Sequence, residues 1–250
     1  MGDWAIGKDW MSKMGSIGEK TLGPVAIYRG QHAEQSQGNR DLFKKEDDWA
    51  DLSQAHASAY SALVNFLSRV AGKPIPKERV DAQGQATLIA HFLQGIPLAE
   101  TAIVEGLYPQ AATLLRQQHE IIAAVEEYTA GRRKDAKTPH ATIGVLRDMG
   151  RVYGDLSGAA HVSQAELLKN FVVIEIGEER APSLLPVYRG ELSRNLYALQ
   201  TSYMIMAAWL ASDIHGSLSG DKLNADESKL LALSQALLVE TGLVNFEPTT

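Results

Sequence analysis

The sequence predicts an all-α fold, a multi-helix bundle with at most one small β-hairpin. Three observations lead there. From Trp49 onward, apolar residues recur at the helical spacings of three, four and seven. Glycine and proline fall at the ends of those periodic stretches, where helices stop and start. The strand–helix alternation that a doubly wound or barrel fold requires is missing.

The first segment departs from this pattern. Between Met1 and about Lys45, Gly2, Gly7, Gly15, Gly18, Gly23, Gly30 and Gly38 recur among polar residues without a sustained helical period. Residues 1–45 therefore read as an extended N-terminal arm, docked on its own core or on a partner. Residues 46–250 read as a single helical domain, because no internal repeat or low-complexity linker divides them.

Within that domain, Trp49, Leu52, His56, Leu63, Phe66, Leu67 and Val70 mark the first amphipathic helix, closed by Gly72 and Pro74. A second helix is expected from about Arg79 to Leu93, with Gly95 and Pro97 separating it from a third that ends near Leu107. Pro109 suits the first turn of a fourth helix, which runs to about Tyr128 and stops at Gly131. Thr138-Pro139 opens a fifth, carrying Ile143, Leu146, Met149 and Tyr153. At Gly154, Gly158, Ala159 and Ala160 this helix either breaks or packs very closely.

Ser163 and Glu166 form a capping box for a short helix. Val172 to Ile176 reads as a strand, with Leu184 to Tyr188 as its partner across Gly177 to Ser183. Arg189 to Ile214 is apolar on most faces and so belongs at the centre. Asn224 and Glu227 cap a last helix that carries Leu230, Leu231, Leu237 and Leu238 and stops at Gly242.

Composition narrows the function classes. With 45% hydrophobic and 22% charged residues, disorder is not expected. The net charge of −6 means that any nucleic-acid site is a local patch rather than a property of the whole surface. The absence of cysteine excludes disulfides, thiolate nucleophiles and cysteine zinc sites, and fits a cytoplasmic location. The N-terminus carries acid early, with no apolar run of signal-peptide length. The apolar stretch Tyr203 to Ala211 is far shorter than the roughly 20 residues of a membrane span. No membrane partner is expected.

Several motifs invite a chemical reading. Gly15 to Thr21 imitates a phosphate loop, but Glu19 stands where glycine must precede the lysine, and the match is coincidental. The seven histidines form no His-x-x-x-His pair and no Glu-x-x-His motif, so neither metal nor cofactor is expected. His56 reads as a hydrogen-bonded core histidine. Arg116 and Glu120 lie one turn apart, opposite the stripe of Ala111, Leu115, Ile122 and Val125, which favours a solvated ion pair. A site there would need a second packed face, for which Ala112 and Ala123 leave room. Gln118, within the apolar stripe, needs partners if it is buried.

Arg132, Arg133, Lys134 and Lys137 follow the fourth helix and complement its dipole. Arg133 and His140 also match the Arg-x(4–6)-His signature of the HEPN ribonucleases, an all-α family of bacterial toxins and defence proteins. Gly131 and Pro139 place this pair on a loop, whereas that family carries it on a helix. Arg151, Tyr153, Ser157 and His161 supply acid/base groups, or else a hydrogen-bond network at a helix end. In an unbroken helix, Arg151 and His161 would stand about 15 Å apart along the axis.

The segments Leu114-Leu115-Arg116-Gln117-Gln118-His119-Glu120 and Tyr153-Gly154-Asp155-Leu156-Ser157-Gly158-Ala159-Ala160-His161 resemble a bacterial, all-helical family of unknown function. Its marks are a Leu-Arg-x-x-x-Glu turn and a later Tyr-x-x-Leu-Ser-x-x-x-His segment. The likeness spans roughly residues 49–203 in order of elements, and its specificity rests on those two motifs. It implies HEPN-like helix pairs, a homodimer, and Arg116, Glu120, Ser157 and His161 as polar positions converging in one interior pocket. It brings no established reaction.

Two expectations follow. One is a HEPN-like RNA-processing or toxin/defence protein. In it His161, with Arg116 or Arg151, activates a ribose 2′-hydroxyl without a metal, and Glu120 and Ser157 complete the site. The other is a non-catalytic helical binding or assembly module whose N-terminal arm docks a partner protein.

Overall fold

The structure is a computed structural model that describes residues 6–134, 136–161 and 165–244. Their regular elements are eight α-helices and one two-stranded antiparallel sheet, an all-α bundle with a small hairpin. In chain order the helices are α1 (Ile6–Phe43), α2 (Trp49–Val70), α3 (Val80–Val104), α4 (Tyr108–Thr129), α5 (Gly150–Ala160) and α6 (Ala165–Val172), then α7 (Gly190–Ser219) and α8 (Ala225–Glu240). The strands β1 (Val173–Ile176) and β2 (Glu179–Pro182) stand between α6 and α7.

α7 is central, as its all-round apolar character predicts. It packs against α2, α3, α4 and α8, and α5 packs on α4. Ala207, Ala208 and Ala211 of α7 and Ala55, Ala59 and Ala62 of α2 are buried, and such small side chains let helix axes approach closely. Tyr203, Phe66, Phe92, Leu63 and Leu115 fill the remaining space. Each large side chain so buried contributes about 1.5–3 kcal/mol. Asn224 caps α8 as expected, with Glu227 closing the box on the Asn224 N–H.

α1 corrects the extended arm. Residues 6–43 are helical, and the reason lies at the C-terminal end of the segment. Ser36, Asn39 and Phe43 are buried there at one-turn and two-turn spacing. Asn39 Nδ2 donates to the carbonyls of Glu105 at 2.8 Å and Pro186 at 3.3 Å, and Arg40 pairs with Glu105. Phe43 meets Trp49 and Tyr197 edge-on at 5.1 and 5.2 Å. The left-handed Gly106 (φ +79°) is required beside this anchor, because a Cβ there would collide with the Val187 carbonyl and Asn39. Residues 22–34, by contrast, are mostly exposed, so no buried stripe exists to give the sequence a period.

Three further expectations are corrected. α3 runs unbroken through Gly95 and Pro97. Pro97 is exposed, and a missing backbone bond is tolerable on a side that water can reach. The buried side of α3 stays anchored, with Gln200 Nε2 donating to the Ile96 carbonyl at 2.8 Å.

Thr138-Pro139 opens no helix; the chain there is irregular until a single 3₁₀ turn at Gly144–Leu146. The Glu127 carboxylate accepts the His140 N–H and the Glu126 carboxylate the Val145 N–H, which draws both out of helical bonding. Finally, β1 pairs with Glu179–Pro182 and not with Leu184–Tyr188. Gly177 (φ +64°) makes the tight turn that selects this nearer partner. The Ser163 half of the predicted capping box lies outside the described residues.

Among the described helices, α3 is long and apolar enough to cross a membrane by length and composition. Ile89, Phe92, Ile96, Ala99 and Ile103 of α3 are buried within the bundle.

Candidate functional site

α4 has two packed faces, and this decides the fate of its polar residues. Ala111, Leu115, Ile122 and Val125 are buried as predicted, and so are Ala112 and Ala123 on the flanks of the Arg116–Glu120 pair. The pair forms at 2.9 Å, but its side chains are only 21% and 27% exposed, not fully solvated. α5 supplies the cover. Tyr153 donates its hydroxyl to Glu120 Oε1 at 2.9 Å, and the Arg116 guanidinium stands 5.7 Å from the Tyr153 ring centre.

His161, the cap residue of α5, completes the cluster. Its Nε2 lies 2.6 Å from Arg116 Nη1. Arginine can only donate, so Nε2 accepts and the neutral ring carries its proton on Nδ1. Residues 45 apart in sequence thus meet through Arg116, whose other arm is held by Glu120. Glu120 is held in turn by Tyr153.

Behind this cluster stands a buried support. His119 is fully buried, with Nε2 2.6 Å from the Ala141 carbonyl and Nδ1 2.8 Å from the Tyr203 hydroxyl. Burial lowers its pKa and keeps it neutral. A carbonyl only accepts, so Nε2 bears the proton and the Tyr203 hydroxyl donates to Nδ1. The His119 ring lies 5.1 Å from that of Tyr153, which props the tyrosine against Glu120. Burial, and then the carboxylate of Glu120, raise the Tyr153 pKa, so its hydroxyl keeps its proton.

The other predicted site residues do not join. α5 is an unbroken helix, so the exposed Arg151 stays about 15 Å from His161 along the axis. Among the described residues, Ser157 meets the cluster through its main-chain carbonyl, which accepts the His161 N–H at 3.0 Å. The small-residue stretch packs instead of breaking, with Gly158 and Ala159 buried.

Arg133 and His140 lie on the loop after α4. There Glu127 accepts from Arg133 Nη1 at 3.2 Å and from the His140 N–H at 2.8 Å. Among the described residues, no group of three or more histidines and acids could hold a metal ion. Sequence reasoning left His119 out of the site, and it named Tyr153 among the acid/base groups but not among the converging polar positions. Their signal was present, since His119 sits inside the first motif and Tyr153 opens the second.

A cavity of about 850 Å³ lies on the other side of α5. Val152, Leu156 and Ala159 face it, while Tyr153 and His161 belong to the polar cluster. The polar cluster is therefore half-exposed and stands outside that cavity. No family model matches the chain, and no curated protein or solved structure does.

Proposed function

We propose that the chain is a HEPN-like RNA-processing or toxin/defence protein that acts by metal-independent acid/base chemistry at His161. The meeting of His161 Nε2 with Arg116 at 2.6 Å supports this reading most directly. A phosphodiester drawn to the Arg116 guanidinium takes over its hydrogen bond to His161 and releases the Nε2 lone pair. Nε2 then accepts the proton of the ribose 2′-hydroxyl, and the 2′-oxygen attacks phosphorus. The charge that develops on the phosphoryl oxygens rests on Arg116. The 5′-oxygen leaves with a proton from solvent, a 2′,3′-cyclic phosphate remains, and His161 returns its proton to solvent. Glu120 and Tyr153 are positioning residues, holding the guanidinium in place.

The test is incubation of total cellular RNA with purified protein in EDTA, beside His161→Ala. Cleavage by wild type that leaves 2′,3′-cyclic phosphate ends, and none by the variant, is the expected result. Equal cleavage by both, or none by either at high protein concentration, overturns the reading.

A second reading, an assembly module, draws on α1. Leu22, Val25 and Tyr28 recur at three-residue spacing, are 66%, 44% and 43% exposed, and form an apolar stripe that a second copy of the chain would cover as a homodimer.

A further inference from the structure

We infer that the cavity between α5 and α7 binds a cationic amphiphile, an alkyl chain with an amine or quaternary ammonium head. Its volume of about 850 Å³ falls within the range of small-molecule sites. Two apolar stripes face each other across it. Met149, Val152 and Leu156 line the α5 side, at spacings of three and four. Leu192, Leu196 and Leu199 do the same on α7 and are only partly buried, although α7 is the central helix. Phe171 of α6 lines it as well and tilts against Tyr108, with ring centres 6.2 Å apart.

The charged residues lining the cavity, among those described, are both acids, Asp148 and Asp155. Both are exposed, seven residues apart, with Asp148 just before α5 and Asp155 within it, and neither is in an ion pair among the described residues. Among the described residues, no lysine or arginine lines the cavity. An apolar volume with a purely acidic edge takes an alkyl chain inward and a cation at the mouth. A carboxylate or phosphate head would meet like charge there.

The test is isothermal titration of the full chain with an alkyl trimethylammonium below its micelle concentration. The alkyl carboxylate and the neutral alkyl glycoside of equal length serve as controls. The expected result is saturable binding of one cation per chain, roughly fivefold tighter than the neutral compound, with the carboxylate weakest. Asp148→Asn with Asp155→Asn, both at exposed positions, brings the cation down to the neutral affinity and leaves the glycoside unchanged. Equal binding of all three heads, or cation binding that survives both substitutions, overturns the inference. So does no binding at all.

Discussion

His56 is 4% exposed and stacks on Tyr197 with ring centres 4.5 Å apart. Burial pushes its imidazole from an ordinary value near 6.5 down to about 4, outweighing the neighbouring Gln200 amide. Between those two values the unfolded chain binds the proton that the folded chain refuses. Stability is therefore full above about pH 6.5 and is lost as pH falls toward 4. The loss reaches about 2 kcal/mol at pH 5. Urea midpoints at pH 7.5 and pH 5 measure it, and His56→Gln flattens the difference; a wild-type midpoint that does not move contradicts the assignment.

The sequence marked His56 as a core histidine, and burial agrees, but its Nε2 has no hydrogen-bond partner among the described residues. Gln118 carries the same tension further. It is 2% exposed, and neither of its amide atoms has a partner among the described residues. Gln118→Met, of similar shape, is expected to raise stability by about 1 kcal/mol in denaturant unfolding. A loss of that size instead would mean that the amide holds a partner such as a buried water.

At the scale of elements, legibility followed the buried stripe. α2, α4, α7 and α8 each set apolar residues on a packed face and end on glycine or a defined cap; α2, α4 and α8 match the periodicity closely, while α7 runs past the expected Ile214 to Ser219. α1 gave no such signal, because residues 22–35 bury no side chain and the buried anchors among the described residues begin at Ser36. The chain between α4 and α5 was misread because its N–H groups bond to Glu126 and Glu127, carboxylates 13 to 19 residues earlier. Local spacing cannot register that kind of partner. α8 offers the cleanest test of the local rules. Asn224→Ala removes the acceptor of two N–H groups, those of Asp226 and Glu227. It is expected to cost about 1 kcal/mol, read as a lower urea midpoint at unchanged slope. No change would place the stability of α8 entirely in its packing on α2.

At the scale of the molecule, the candidate site was legible in its residues but not in its environment. Arg116, Glu120 and His161 stand in the two motifs, and the fold brings them together. The pattern of α4 alone pointed to a solvent-facing pair, because the second packed face is made by α5 and the loop that carries Ala141. Those neighbours lie more than twenty residues away in sequence and leave no trace in the period of α4. Arg151 fails for the converse reason, since an unbroken α5 carries it ten residues along the axis from His161, while Ser157 meets His161 through its main-chain carbonyl.

If the α1 stripe joins two copies, sedimentation equilibrium gives a dimer for the wild type and a monomer for Leu22→Asp with Val25→Asp. A wild-type monomer at high concentration removes the α1 stripe as a dimer contact.

The proposed chemistry requires Arg116 and His161 to act as one centre. The direct measurement is a cycle of RNA cleavage rates in EDTA for wild type, Arg116→Ala, His161→Ala and the double variant. A shared centre predicts that each single variant loses nearly all activity and that the double is no worse than either. Variants that cleave as well as wild type, or losses that simply multiply, would contradict it.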